Sequence, residues 1–127
     1  MTEQVKKLLK EQLWILATCY DHEPNAVPVG LKTLTEDGKL AVGDVFMETT
    51  VHNLQKNGRA AVSVCDGKEG YQIKGAAEYF TSGPIVEAFQ KQAETLFHGV
   101  LSVKGAVVIT PERVIVTTGG PDNKKEL

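Results

Sequence analysis

The chain lacks several features that would assign it to a class directly. It has only two cysteines, Cys19 and Cys65, among 127 residues. That is too few for a disulfide framework, and neither sits at a metal-ligand spacing such as CxxC. Both lie in apolar runs and are expected to be reduced and buried or half-buried, with no neighbouring base to make either a catalytic thiol. No basic cluster breaks the middle of the chain, and 14 Lys and Arg stand against 16 Asp and Glu, for a net charge of -2. Binding nucleic acid needs several phosphate-neutralising cations on one face, so that class is set aside. No apolar run approaches the roughly 20 residues of a spanning helix, and no basic-then-apolar leader opens the chain. The expectation is no membrane and a cytoplasmic location. His22, His52 and His98 are scattered without a partner at a ligand spacing, so no metal site is expected. There is no internal repeat.

What is present fits one domain, since a chain of this size buries about two thirds of its unfolded surface. In residues 2–13, Val5, Leu8, Leu9 and Leu13 form one helical stripe, with Thr2 as N-cap. WILATCY (14–20) is a strand bounded by the turn DHEPN, with Trp14, Leu16, Thr18 and Tyr20 on one face. AVPVGLKTLT (26–35) alternates Val27, Val29, Leu31 and Thr33 as a strand. In it, Pro28 and Gly30 imply an edge, a bulge, or something large against the backbone. Asp37-Gly38 is a hairpin turn, and the next strand runs from Leu40 to Phe46. A short helix over 50–57 stops at Gly58, and strands follow at 59–66 and 71–81, the second bent at Gly75. Gly83-Pro84 opens a helix whose stripe is Ile85, Val86, Phe89, Ala93, Leu96 and Phe97. Strands at 105–109 and 113–118 close the fold around a turn at 110–112. Six or seven strands with short connections and three helices make a mainly β antiparallel barrel or curled sheet with helices plugging its openings. The domain spans 1–118, and the polar tail 119–127 is expected to fray.

The stretch richest in chemistry is LAVGDVFMETTVHNLQKNGR (40–59). A strand runs through Gly43-Asp44 and delivers the chain to a helix that begins with Thr49 and Thr50. A helix start leaves about four N–H groups unpaired and carries roughly half a positive charge, so hydroxyls there suit a phosphate. Thr also caps ordinary helices, and both readings stand on spacing alone. His52 is close enough to Thr50 to be a further phosphate contact. Trp14 is either a core residue or a lid on a flat ring.

In order and spacing, PNAVPVGLKTLTEDGKLAVGD, TTVHNLQKNGRAAVSV and YQIKGAAEYF resemble the pyridoxamine 5'-phosphate oxidase-like split barrel, in particular its small FMN-binding members. The resemblance covers nearly the whole chain and implies an antiparallel split β-barrel of six or seven strands. It also implies a homodimer with FMN in the groove between subunits. By position, the backbone of Val29, Gly30 and Leu31 would run along the isoalloxazine, with Lys32 near it. Gly43 and Asp44 would meet the ring and ribityl chain, Thr49 and Thr50 would hold phosphate, and Gln72 would lie against the flavin.

Two departures bear on function. Many relatives carry Arg or Lys where Thr49 and Thr50 stand, and here Glu48 precedes them, a carboxylate costly beside a phosphate. The family's oxidases of pyridoxamine phosphate also carry an Arg- and His-bearing segment where this chain has GGPDNKKEL, so that activity is not expected. The implied function is an FMN flavoprotein in electron transfer or a flavin-dependent oxidoreductase, with a nicotinamide or protein redox partner. The alternatives are a non-catalytic module for haem or a deazaflavin-type cofactor on the same dimeric fold, and a structural dimer whose groove side chains close. The flavin reading predicts that Gly30→Leu blocks the ring.

Overall fold

The computed structural model describes residues 1–127. Helix α1 (Glu3–Glu11) is followed by strands β1 (Trp14–Tyr20), β2 (Glu23–Val29), β3 (Lys32–Leu34) and β4 (Leu40–Asp44). Helix α2 (Thr49–Lys56), β5 (Arg59–Cys65), β6 (Gly70–Phe80), helix α3 (Pro84–Phe97) and β7 (Gly105–Val116) complete the chain. The strands form one antiparallel sheet in the order β2-β1-β5-β6-β7-β4-β3. Its two edges, β2 and β3, are consecutive in sequence and separated only by Gly30 and Leu31. Val29 and Lys32 are three peptide steps apart, a span of at most about 11 Å, so the sheet has to curl until its edges adjoin. The result is a split β-barrel.

The expected strand over 26–35 is therefore two strands. Gly30 and Leu31 leave the ladder, and Leu31 turns its carbonyl to Gly43 N–H at 2.9 Å. The DHEPN turn is also shorter than its composition implies. Asp21 and His22 take φ of 55° and 61°, and β2 begins at Glu23, opposite Tyr20. Two consecutive left-handed residues match the right-handed twist of a two-residue hairpin.

The barrel interior holds Trp14, Leu16, Leu40, Val42, Val62, Ile73, Val107 and Ile109, with Val5, Leu8 and Leu9 of α1 plugging one opening. Thr2 caps α1 by accepting from Val5 N–H. Leu13 lies past the helix and is exposed. Helix α3 does not plug an opening. Val86, Phe89 and Ala93 pack outside the barrel on Leu31, Ala41, Val103 and Ala106. That second layer explains why β4 is buried at every position, with Leu40 and Val42 facing in and Ala41 facing α3.

β7 does not turn at 110–112. Thr110 and Pro111 pair with Ala76 and Gly75 where β6 shifts register between Lys74 and Gly75. A bulge is where a ladder can accept a residue with no N–H. The tail is not frayed, because Leu127 N–H donates to Val114 O at 2.8 Å and Glu126 pairs with Arg113. Cys19 and Cys65 are exposed, each on the outward phase of its strand. No helix is long and apolar enough to cross a membrane.

A Cβ at Gly75 would lie 1.9 Å from Thr110 O, a backbone atom that cannot swing aside. Gly75→Ala is expected to lower unfolding free energy by about 3 kcal/mol, read by chemical denaturation.

Candidate functional site

The seam where the sheet edges meet is open. A cleft of about 660 Å³ lies between Val27–Leu31, the 43–50 segment and the end of α3 through Leu96, Phe97 and Leu101. That size is ordinary for a small-molecule site. Its lining is mainly apolar, and Glu48 is the one charged residue in it.

Gly30 sits in the middle of one wall with an ordinary φ, and a Cβ there would meet no atom within 4 Å. Neither backbone strain nor packing calls for glycine; the missing side chain leaves room in the cleft. Gly43 is different, since its Cβ would come 2.6 Å from Leu31 Cδ2 and 3.2 Å from Phe89 Cγ. Close packing of Leu31, with Phe89 of α3 beside it, fills the space a side chain would need there.

Helix α2 starts at one end of the cleft. Glu48 occupies the N-cap without a side-chain bond, and the amides of Thr49, Thr50 and Val51 have no acceptor in the protein. Thr49 is exposed beside them, whereas Thr50 is buried and its Oγ1 accepts from Asn25 Nδ2 at 3.0 Å. Asn25 also donates to Thr18 Oγ1 at 3.1 Å, and Asn53 Nδ2 donates to that same oxygen at 3.0 Å. This network ties β1, β2 and α2 together under the cleft's polar end.

The 45–48 wall is held from below. Asp44, 1% exposed, accepts the Tyr79 hydroxyl on Oδ2 and Met47 N–H at 2.8 Å on Oδ1. Lys104 Nζ donates to Met47 O at 3.2 Å and stands 4.0 Å from Asp44 Oδ1. Burial first, then the bond to Asp44, pushes the Tyr79 phenol well above its ordinary range.

Val29, Gly30, Leu31, Gly43, Thr49 and Thr50 thus come together around one cleft. Lys32 does not join them. Its Nζ donates to Leu9 O at 2.9 Å, where α1 ends, and lies 4.9 Å from the centre of the Trp14 ring. Partial burial lowers its pKa. Trp14 is fully buried with Nε1–H on Leu9 O, a core residue and not a lid. Asp44 serves the wall, and Gln72 lies on β6 opposite Ser63, away from the lining. His52 is exposed against Tyr20 and does not line the cleft. The sequence reading passed over Asn25, Phe46, Met47 and Leu101. Asn25 was legible only through register, since a turn at Asp21-His22 sets it opposite Thr18.

The residues fit a flavin along the apolar wall, which is open at Gly30. At the anionic end they offer amides and a hydroxyl but no cation.

The family model for pyridoxamine 5'-phosphate oxidase matches residues 1–118. The chain belongs to the pyridoxamine 5'-phosphate oxidase-like family. It is 31% identical over 129 residues to an uncharacterized protein of Methanocaldococcus jannaschii, covering 98% of this chain and 86% of that one. HupZ of Group A Streptococcus superposes with a TM-score of 0.83 at 26% identity, over 96% of this chain and 98% of that one. An FMN-binding protein from Syntrophomonas wolfei superposes with a TM-score of 0.80, over 94% of this chain and 87% of that one. At 14% identity that likeness shows the fold alone.

Tyr79→Phe removes a donor from a buried carboxylate and is expected to cost about 1–3 kcal/mol of stability. Because the native phenol holds its proton above its unfolded value, wild-type stability falls as pH rises past about 10. Denaturant titrations from neutral to alkaline pH should show the fall weakened in the variant.

Proposed function

We propose that the chain binds FMN in the seam cleft and acts as a flavoprotein, passing electrons from a reduced nicotinamide or protein donor to a small-molecule or protein acceptor. The observation that carries this reading is Gly30, whose missing side chain keeps the middle of an apolar, ring-sized wall open. Family membership and the fold of an FMN-binding protein support it. The bound flavin would supply the redox chemistry, while the protein orients it and excludes water. Val29–Leu31 form one side of its bed. The Thr49 hydroxyl and the free amides of α2 receive the anionic end. No side chain in the cleft is assigned as a catalytic acid or base.

Phe46, Leu96 and Val100 are 77%, 57% and 82% exposed, and Phe46 and Leu96 line the cleft while Val100 adjoins Leu101. Large apolar residues standing in water around a site call for a cover. A second copy of the chain, in a homodimer with the flavin at its interface, provides it.

One observation favours a second cofactor. With no Lys, Arg or His in the lining, a deazaflavin whose phosphate is a diester brings one charge to the rim instead of nearly two. Haem is less suited, since Met47 is the only sulfur or imidazole ligand lining the cleft.

Gently purified protein is expected to show a flavin absorption spectrum and to release FMN on heating. Gly30→Leu, whose Cβ meets no protein atom within 4 Å, should fold with unchanged circular dichroism yet lose the flavin. A colourless wild type that takes up no FMN at micromolar concentration rejects the reading. Sedimentation should find two chains per particle, and Phe46→Glu should shift them toward monomer with lower flavin occupancy.

A further inference from the structure

Asn25 is the polar side chain whose hydrogen bonds leave one group unused inside the cleft. It stands on β2 opposite Thr18, and both its N–H groups are spent, on Thr18 Oγ1 at 3.1 Å and Thr50 Oγ1 at 3.0 Å. A carboxamide has two donor hydrogens and one acceptor oxygen with two lone pairs. Its Oδ1 accepts from nothing in the protein, and no buried side-chain oxygen or nitrogen lacks a partner. That oxygen is therefore at an accessible surface, on a residue that lines the cleft.

The carboxamide is not free to rotate. Thr18 and Thr50 are 6% and 2% exposed, and Asn53, 4% exposed, donates to the Thr18 oxygen at 3.0 Å. Two strands and a helix thus hold one acceptor in place. On the same rim, Glu48 adds a carboxylate, which also accepts hydrogen bonds. Side-chain acceptors at this end suit ligand groups that donate, such as hydroxyls. The α2 amides remain the donors for any anion beyond them.

We infer that Asn25 is a specificity-determining residue that reads the polyhydroxylated chain of the ligand, accepting a hydroxyl of the ribityl portion on Oδ1. This rests on the flavin reading of the cleft and assigns its discrimination to a side chain outside the helix start. A ring without a hydroxylated chain leaves the acceptor unpaired in a partly desolvated site, and that loss is what selects against it.

The test is a fluorescence-quenching titration of native protein with riboflavin and with lumiflavin, which carries a methyl group in place of the ribityl chain. Wild type is expected to prefer riboflavin by about ten-fold or more. Asn25→Val should reduce the preference to within about three-fold with lumiflavin affinity unchanged. Asn25→Asp keeps an acceptor that Thr18 and Thr50 can donate to, and should keep the preference. Circular dichroism and thermal melts confirm that both variants fold. Equal loss of both ligands in Asn25→Val assigns the residue a purely structural role and overturns the inference, as does an unchanged preference in that variant. Loss of the preference in Asn25→Asp overturns it too, because the cleft would then be reading a donor. Wild type that binds neither ligand rejects the flavin reading itself, and this inference with it.

Discussion

Gly30 and Leu31 have to carry the chain from one edge of a seven-stranded sheet to the other. An open, gently twisted sheet of that many strands would hold its edges far apart, so the short link forces closure. The link is not part of either edge strand, and its one backbone bond to β4 runs from Gly43 N–H to Leu31 O. The barrel is consequently complete everywhere except along one seam, and the cleft is that seam. Much else serves the closure. α3 packs on Leu31 from outside, and Gly43 lets Leu31 lie flat against β4.

The polar groups around the seam divide between support and exposure. Lys32 and Asp44, two ionisable residues expected beside the ring, both work in the scaffold instead, one at the end of α1 and the other beneath Met47. A buried carboxyl persists where it is hydrogen-bonded, and Asp44 accepts from Tyr79 and Met47 with Lys104 Nζ 4.0 Å away. What the cleft itself presents is Glu48, Thr49, the α2 amides and the edge of the Asn25 carboxamide. Relatives that place cations at the helix start would meet an anion by charge. Here the helix start offers hydrogen-bond donors and no side-chain cation.

The fold was legible because its signals are local and repeated. Alternation in WILATCY, Asp-Gly at 37–38, Pro at the start of α3 and Gly75 in a long strand each act within a few residues. The order of those signals carried the family. Features set by distant partners were not legible. Leu96 reads as part of the buried α3 stripe, yet it is exposed on the rim of the cleft. Pro111 looks like a turn until the bulge beside it, at Glu112 of the same strand, is known. The polar tail reads as frayed because nothing in its composition reports the unpaired edge of β7 that it follows. At the site, glycine and threonine were found by type, while Asn25 and Lys32 took their roles from register and from a helix elsewhere in the chain.

The strand order also bears on when the cleft comes into being. β4 pairs with β7 and β1 with β5, so the ladders that attach the two edge hairpins join segments far apart in sequence. Such non-local pairing is slow, because loop entropy is lost before the contacts form. The seam exists only once both edges have been delivered by those pairings. A molecule held there meets almost no unfolded counterpart to compete for it. Any ligand that binds only the closed seam would therefore stabilise the folded protein by mass action, since an unfolded chain has no seam to offer it.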